Sequence, residues 1–423
     1  MAAILCQVEE VFSLLRSPFT PLDNKQIVCR EFIAGFVGKK SKRSGSRSSK
    51  TTTMCSEAGA APVVSPEHSS GDLLSKVIAA YIEDLSGSGR WTEKTKSENA
   101  VSLKLFQRFA GDLPIKSITH DLMQKFRQAL LHLPANINKT PEYRERSLDE
   151  ILAMDGVVPM SVTNVNKYLI QTSSMFRWAQ RRGYVDRNPG EGLAVRRTIK
   201  PDEERSVYID EDFQSLFRSP LFTEPGWNDR PERFWIPLIA MFSGMRLGEI
   251  CQLYVSDIRR VASVLCFDIN DEKDKRLKNI SSRRTVPVHP TLLGIGFESY
   301  VASMTAQGSE RLWPNLQLMR DGYGHGFSHW YQRFNREYIT DDPKRVFHSF
   351  RHNVADQLKQ AEVSATIISE ILGHSVESMS LGRYGKRFQS DVLMNAVRRI
   401  QYSALPSDLR VLISVAEAMS IKP

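Results

Sequence analysis

The sequence predicts an α+β protein that is mostly helical and carries one small antiparallel sheet. Apolar residues recur with helical periodicity from residue 72 onward, and the stretch 72–195 lacks strand signals. Two β-rich runs, VLCFDI and RRTVPVH, flank a charged loop further along the chain and predict a pair of strands. At 423 residues the chain is too long for one compact core, so we expect more than one domain.

The first 71 residues divide into two predicted segments. Residues 1–37 contain short apolar clusters and predict a small N-terminal unit of unknown role. Residues 38–71 begin with GKKSKRSGSRSSKTTT, which holds six basic residues and no acidic ones, so a flexible basic linker is predicted. Such a linker either stays solvated or lies as an arm on nucleic-acid phosphates, through Lys39, Lys40, Lys42 and Arg43.

Residues 72–195 predict an all-helical domain. LLSKVIAAYIEDL places its apolar residues on one helical face. The next helix has Thr92 as its N-cap and Gly111 at its end, and HDLMQKFRQALLHL predicts a third. A long fourth helix begins after Ser161 and closes at Gly183.

That fourth helix carries the arginines Arg177, Arg181 and Arg182, which are candidates for contact with either solvent or phosphate. The Pro- and Gly-punctuated stretch that follows it predicts an interdomain linker over residues 196–206.

Residues 207–402 predict a second, mostly helical domain with the small sheet. ERFWIPLIAMFSG predicts a buried helix that ends at Ser243-Gly244, and MRLGEICQL begins another. Helical patterns return in FSHWYQRFNREY, SFRHNVADQLKQA and SATIISEILGH. FQSDVLMNAVRRIQY is an amphipathic helix that docks either on its own domain or on a neighbour's, and residues 403–423 form a tail with one further helix.

Charge and cysteine usage narrow the class of protein. A formal charge of +9 favours a polyanionic partner, nucleic acid first. The five cysteines are widely spaced and form no C-x-x-C pair, so we expect neither disulfides nor a zinc site, as in a reducing cytosol. No apolar run approaches the roughly 20 residues that span a bilayer, and the N-terminus lacks a basic signal-peptide region. We therefore expect a cytoplasmic protein without a membrane partner.

Several residues are candidates for chemistry, although each has an ordinary structural alternative. Arg246 begins a helix, where the macrodipole is positive, so it either shares an anion with the helix amides or pairs with Glu249 one turn on. His348 and Arg351 are three apart on one helical face, a spacing that lets both reach one phosphate. His374 follows Gly373 at a helix corner, where a histidine often caps the helix.

Taken in order, these residues resemble the motif set of the tyrosine recombinase (phage integrase) family. The set consists of Arg246, a lysine-bearing strand pair, His348-x-x-Arg351, Leu372-Gly373-His374 and Tyr384. WAQRRGYVDRNP resembles the end of that family's core-binding domain, and the whole resemblance covers roughly residues 72–400. It implies a helical, SAM-like core-binding domain followed by a catalytic domain of the DNA breaking-rejoining fold.

The resemblance implies a role for each residue of the set. Tyr384 would attack the scissile phosphorus, which forms a 3′-phosphotyrosine and frees a 5′-hydroxyl. Arg246 and Arg351 would bind the two non-bridging oxygens, and His374 would hydrogen-bond the same phosphate. His348 would accept the tyrosine proton. Glu249 would orient Arg246 as a supporting residue.

The family draws the proton for the leaving 5′-oxygen from a lysine on the sheet's hairpin. The loop DEKDKRLKNISSRRTVPVHP offers Lys273, Lys275 and Lys278. We choose Lys278, because LKN followed by SSRRTVP best matches the family's pattern of a lysine and then a basic strand.

The implied reaction needs no metal, nucleotide or other cofactor. The implied partners are double-stranded DNA with a specific recombination site, a homo-tetramer on that DNA and accessory DNA-bending proteins, with the protein associated with the nucleoid. Integration or excision of a phage or other mobile element is the expected role. A monomeric topoisomerase of the tyrosine type and a DNA-binding protein that has lost catalysis are the alternatives.

Overall fold

The chain is described by a computed structural model over residues 71–197, 206–227, 229–374 and 387–420. The predicted N-terminal unit, nearly all of the basic linker with Lys39, Lys40, Lys42 and Arg43, and most of the 196–206 linker lie outside the described residues. Tyr384 also lies outside them.

The first described part is helical, as the sequence predicts. Its helices are α1 Leu74–Gly87, α2 Glu93–Ala110, α3 His120–His132, α4 Pro141–Arg144, α5 Leu148–Leu152 and α6 Val162–Arg181. Their apolar faces meet in one hydrophobic cluster, in which the Phe106 ring lies 5.0 Å from Phe126 and 5.8 Å from Phe176. These faces bury the helical stripe that the periodicity of the sequence predicts.

The predicted helix ends are confirmed. The Thr92 hydroxyl accepts a hydrogen bond from the amide of Thr95 at 3.2 Å and begins α2. Ser161 caps α6 in the same way through the amide of Asn164. Gly111 ends α2 at a φ of 77°, in the region that favours glycine.

The second described part combines helices with one antiparallel sheet of three strands. In this described part, four α-helices precede the sheet: α7 Asp210–Arg218, α8 Pro220–Thr223, α9 Pro231–Ser243 and α10 Leu247–Cys251. The strands of the sheet are β1 Ile258–Val261, β2 Val264–Ile269 and β3 Arg284–Pro287. The helices after it are α11 Pro290–Ile295, α12 Phe297–Ala306, α13 Gly324–Phe334, α14 Ser349–Gln360, α15 Ala365–Leu372, α16 Ser390–Val397 and α17 Arg410–Ser420, with a π-helical turn Asn335–Ile339 after α13. The predicted class, mostly α with a small antiparallel sheet, is confirmed.

The sheet has one strand more than the sequence predicts. Its order is β1-β2-β3, and β1 pairs with β2 through a tight hairpin in which Val261 lies opposite Val264. The prediction of two strands missed β1 because IRRV is short and its two central arginines are exposed. The turn also uses Ala262 at a φ of 54° in place of the Gly or Asn that marks most such turns.

Helix α9 forms the centre of this part, because nearly every side chain along it is buried. Trp235, Ile239 and Phe242 belong to a hydrophobic cluster that also receives side chains from α14, α15, α16 and α17. The tail helix α17 contributes Leu412 and Val415 to this same cluster. Helix α16 contacts β2, β3 and α15, so the helix that follows Tyr384 in sequence docks on its own domain.

Among the described residues, no helix combines the length and apolar character that crossing a bilayer requires.

Candidate active site

The turn between α9 and α10 places Arg246. Helix α9 ends at Gly244, whose φ is 64°. The Leu372 side chain packs so closely against this glycine that a Cβ added to Gly244 would lie 2.6 Å from Cδ2 of Leu372. Two residues later Arg246 occupies the N-cap position of α10. Its side chain is partly exposed, at 23%. The close packing at Gly244 therefore brings the beginning of α10 against the end of α15.

Glu249 holds Arg246 in place. One of its carboxylate oxygens accepts from the Arg246 amide at 2.9 Å, and the other accepts from Nη1 of the same residue at 2.7 Å. The ion pair that the sequence offered as an alternative thus exists, and it orients the guanidinium. The Glu249 side chain is 5% exposed, and burial acts to raise its pKa. The neighbouring Arg284 and Arg246 outweigh burial, so the pKa of Glu249 lies below its usual value and the group stays ionised.

Arg284 is a second partner of Glu249 that sequence reasoning did not single out. It begins β3, is 2% exposed, and donates to both carboxylate oxygens of Glu249 at 2.8 and 3.2 Å. Its Nε also donates to the Ile371 carbonyl at 2.7 Å. One signal for it was present: Arg284 and Val286 are two apart in a strand, and both are buried. An arginine on the buried face of a strand requires an acidic partner.

Three successive carbonyls at the end of α15 each accept from a different arginine. The Ile371 carbonyl binds Arg284, the Leu372 carbonyl binds Nη2 of Arg351 at 2.5 Å, and the Gly373 carbonyl binds Nη2 of Arg246 at 3.3 Å. A helix C-terminus carries partial negative charge, which favours cations there. The end of α15 therefore draws the two arginines of the motif set together.

Arg351 and His374 are in direct contact. Arg351 is buried on α14, donates from Nη1 to the Gly244 carbonyl at 2.9 Å, and lies 2.8 Å through Nη2 from Nε2 of His374. Because a guanidinium only donates, Nε2 of His374 must accept. The proton of the neutral imidazole then lies on Nδ1, where it is available to a further acceptor.

The electrostatics of the corner favour an incoming anion. Burial, followed by repulsion from Arg246 and Arg284, lowers the pKa of Arg351 to about 9. Burial, followed by the charges of Arg351 and Arg246, also lowers the pKa of His374, which keeps that ring neutral at pH 7. The Glu249 carboxylate binds the guanidinium groups of Arg246 and Arg284, and Arg351 interacts electrostatically with all three, so the corner holds excess positive charge in a partly desolvated place.

His348 lies at the N-terminus of α14, one turn before Arg351. The Arg351 amide donates to the His348 carbonyl at 3.1 Å, and the His348 ring packs edge-on against His352 with centroids 5.0 Å apart. His348 also lines a cleft of ≈ 340 Å³ together with Leu247, the residue that follows Arg246. This places its imidazole on the side of the site where α10 begins.

The three loop lysines have different surroundings. Lys275 is buried and its Nζ lies 2.5 Å from a carboxylate oxygen of Asp257. Lys273 places its ammonium 3.9 Å from the centre of the Tyr254 ring. Lys278, the predicted proton donor, is exposed. A buried and paired Lys275 is poorly placed to give up a proton, so the surroundings favour the choice of Lys278 over Lys275.

The three candidate arginines on helix α6 and at its C-terminus also differ in their surroundings. Arg182 donates to both carboxylate oxygens of Asp84 at 3.1 Å and lies over the Trp178 ring at 5.6 Å. Arg177 and Arg181 are exposed. Arg182 therefore has an intramolecular partner, while the other two face solvent and stay candidates for phosphate contact.

Within the described residues, no group of three or more His, Cys, Asp or Glu side chains is placed to hold a metal ion.

The chain is similar to proteins of a known family. Residues 234–390, which include Arg246, Arg351 and His374, match the model of the phage integrase family. A tyrosine recombinase of Thermosipho africanus (strain TCF52B) is 22% identical over 307 residues, which cover 71% of this chain and 92% of that protein.

Two solved structures are similar to the chain as well. A lambda integrase dimer bound to a COC′ core site has 17% identity and a TM-score of 0.49, and the match covers 88% of this chain and 94% of that one. The Tn1549 transposon integrase in complex with transposon right end DNA has 15% identity and a TM-score of 0.48, with coverages of 77% and 99%. The ordered motif set, its convergence at the end of α15 and the family match agree that residues 234–390 are similar to the phage integrase, or tyrosine recombinase, family.

Proposed function

We propose that this protein is a site-specific DNA recombinase that cleaves and rejoins DNA strands through a 3′-phosphotyrosine on Tyr384. The observation that carries the proposal is the convergence of Arg246 and Arg351 on the adjacent carbonyls of Leu372 and Gly373, with His374 in contact with Arg351. Two guanidinium groups fixed before the substrate arrives can bind the two non-bridging oxygens of a phosphate as their charge grows.

Each step of the reaction has a group to perform it. The Tyr384 oxygen attacks phosphorus, its proton passes to His348, and the bond from phosphorus to the 5′-oxygen breaks. Lys278 gives a proton to that leaving oxygen, while Arg246, Arg351 and His374 hold the phosphate.

The chain close to Tyr384 is attached beside the arginine cluster. The described residues resume at Arg387, three residues after Tyr384, and three residues span at most about 11 Å. The Arg387 side chain donates to the Arg283 carbonyl at 2.6 Å, next to Arg284. This contact places the part of the chain that follows Tyr384 in sequence beside the arginine cluster, which supports the choice of Tyr384 as the nucleophile.

The partner in this proposal is double-stranded DNA with a specific site, bound by a homo-tetramer. The lambda integrase, in a further structure with a TM-score of 0.47, forms a tetramer on a Holliday junction. The family model that matches residues 234–390 is that of phage integrases, which favours integration or excision of a phage or other mobile element as the role. The proposed reaction uses neither a metal nor a nucleotide, since the phosphotyrosine bond conserves the energy of the phosphodiester.

The test is covalent trapping on a nicked DNA duplex that carries the attachment site and releases a short 5′-hydroxyl strand on cleavage. Wild-type protein should form a protein–DNA adduct that survives denaturation, and Tyr384→Phe should form none, because it lacks the nucleophilic oxygen. Tyr402→Phe is the matched control, since the Tyr402 hydroxyl is buried and donates to the Met241 carbonyl at 2.8 Å. An adduct that persists in Tyr384→Phe, or wild-type protein that binds the site without forming an adduct, would contradict the proposal.

A further inference from the structure

Residues 270–283 form the loop that joins β2 to β3, and the C-terminal end of this loop lies beside the candidate active site. We call this loop the lysine loop. Asp271 and Arg283 form an ion pair that closes its neck. The hydroxyl of Ser282 lies 3.4 Å from Nη1 of Arg246. The loop therefore returns to the sheet directly at one of the two phosphate-binding arginines.

The first half of the lysine loop is held by a cluster of four side chains, which we call the Asp274 clamp: Asp274, Tyr254, Arg311 and Tyr323. The Asp274 carboxylate accepts from the Tyr254 hydroxyl at 2.8 Å, from the Tyr323 hydroxyl at 2.6 Å and from the Arg311 guanidinium. The Arg311 guanidinium lies over both tyrosine rings, 4.1 Å from one centre and 3.9 Å from the other. These donors lower the pKa of Asp274 to about 2, led by the Tyr323 hydrogen bond.

The residues that follow Asp274 are each fixed in a different way. Lys275 pairs with Asp257, the Arg276 amide donates to the Gln252 side chain at 3.0 Å, and Leu277 packs against the hydrophobic core. Lys278 comes next and is exposed. Four successive positions are thus anchored, and the exposed lysine follows immediately after the last of them.

Anchors of this kind serve a reaction when they fix a group that must act at a precise place. Lys278 is four residues before Ser282, the residue whose hydroxyl lies 3.4 Å from Nη1 of Arg246, so the chain keeps Lys278 within about 14 Å of Ser282. A loop without anchors would spread that ammonium over many positions, and displacing a catalytic group by about 1 Å can reduce a rate by ~10²-fold.

We propose that the Asp274 clamp is a positioning device for the proton donor of strand cleavage, holding the lysine loop so that Lys278 protonates the leaving 5′-oxygen. This inference rests on the proposed function. Cleavage breaks the bond between phosphorus and the 5′-oxygen, the oxygen leaves with the electron pair, and one proton moves to it from the Lys278 ammonium. The clamp residues touch neither the phosphate nor the leaving group, and they act only through the loop.

The experiment uses a leaving group that needs no proton. A nicked duplex is prepared with either the natural 5′-oxygen or a 5′-bridging sulfur at the scissile phosphate. A thiol is a much stronger acid than an alcohol, so sulfur departs as a thiolate without a proton donor. The rate of adduct formation is then measured on both substrates for full-length wild type, Asp274→Asn, Tyr323→Phe and Lys278→Ala. Glu298→Gln is the control, because it removes a carboxylate from an exposed ion pair with Arg260.

On the oxygen substrate we expect Asp274→Asn and Lys278→Ala to be slower than wild type by roughly 10²-fold, the scale of general acid catalysis, and Tyr323→Phe to be slowed less. On the sulfur substrate all three should approach the wild-type rate. Glu298→Gln should match wild type on both. Rescue by sulfur separates loss of the proton donor from loss of folding or DNA binding, because a damaged site would stay slow on both substrates.

Three outcomes would overturn the inference: unimpaired cleavage of the oxygen substrate by Asp274→Asn, equal impairment of that variant on both substrates, or unimpaired cleavage by Lys278→Ala. Failure of the proposed function is distinguishable from these, because wild-type protein would then form no adduct with either substrate.

Discussion

At the scale of single residues, Glu249 is the group on which the site depends. Its carboxylate binds the amide and guanidinium of Arg246 and the guanidinium of Arg284, all within 3.2 Å. Without Glu249 the two guanidinium groups would repel each other in a desolvated corner. The arginine that is fully buried, Arg284, therefore stabilises the fold and also fixes the acid that orients Arg246, the proposed phosphate ligand.

This arrangement predicts the effect of removing Arg284. Arg284→Ala leaves the Glu249 carboxylate buried with half of its partners, and breaking a buried ion pair costs about 3–5 kcal/mol. The free energy of unfolding, from urea denaturation, should fall by that amount. Arg260→Ala is the matched control: it breaks an exposed ion pair with Glu298, with both side chains more than half exposed, and should cost less than about 1 kcal/mol. Equal, small decreases in both variants would contradict the importance given to Arg284.

At the scale of elements, the site is built on the end of helix α15. The helix ends at Gly373, whose φ is 68° and whose carbonyl accepts from Arg246. A Cβ at this position would lie 2.6 Å from Nη1 of Arg284 and 3.0 Å from its Cζ. Glycine is needed here both for the backbone conformation and for the space that the buried guanidinium occupies.

Two glycines allow these requirements to be separated. Gly308 follows the end of α12 at a φ of 70°, and a Cβ there would meet nothing within 4 Å. Gly308→Ala should therefore cost only the backbone strain of about 1–2 kcal/mol. Gly373→Ala carries the same strain and also displaces Arg284, so it should lower the urea midpoint further and sharply reduce adduct formation on nicked DNA. Similar stabilities and activities for the two variants would show that the contact with Arg284 is unimportant.

Sequence patterns predicted the helices and strands better than they predicted how these elements pack against one another. Local chemistry decides a helix end such as Thr92 or Gly244, and these ends were confirmed. Strand β1 was missed because four residues with two exposed arginines carry little periodicity. Arg284 was passed over because its partner Glu249 is 35 residues away, on α10, and only the tertiary fold brings the two side chains together. Motif order identified Arg246, Arg351 and His374, but their shared attachment to α15 depends on the three-dimensional fold.

At the scale of the whole molecule, the net charge of +9 bears on how the protein binds DNA. Each phosphate that Lys or Arg neutralises releases counterions, so affinity for a duplex should fall steeply between about 50 and 200 mM salt. Arg177→Gln with Arg181→Gln should reduce the slope of log affinity against log salt by about one for each phosphate that the variant no longer neutralises.

The third arginine of this region supplies the control for the salt experiment. Arg182→Gln should leave the slope unchanged, because the Arg182 guanidinium already binds Asp84. Fluorescence anisotropy over a salt series measures the slope for wild type and both variants. An affinity independent of salt, or an equal change of slope in both variants, would contradict the assignment of Arg177 and Arg181 to phosphate contact.

The surplus of positive charge in the Arg246, Arg284 and Arg351 corner has a consequence for how the protein can change over evolution. The corner is more costly to hold in the free protein than when a phosphate occupies it, since burial and then repulsion from Arg246 and Arg284 lower the pKa of Arg351. Arg284 is bound to Glu249, so its removal destabilises the fold, but substitution of Arg351, which donates to carbonyls and to His374, would relieve repulsion in the free protein and abolish phosphate binding in the same step. Selection for activity and selection for stability therefore oppose each other at this corner. The stability of the fold has to come from the apolar core around α9.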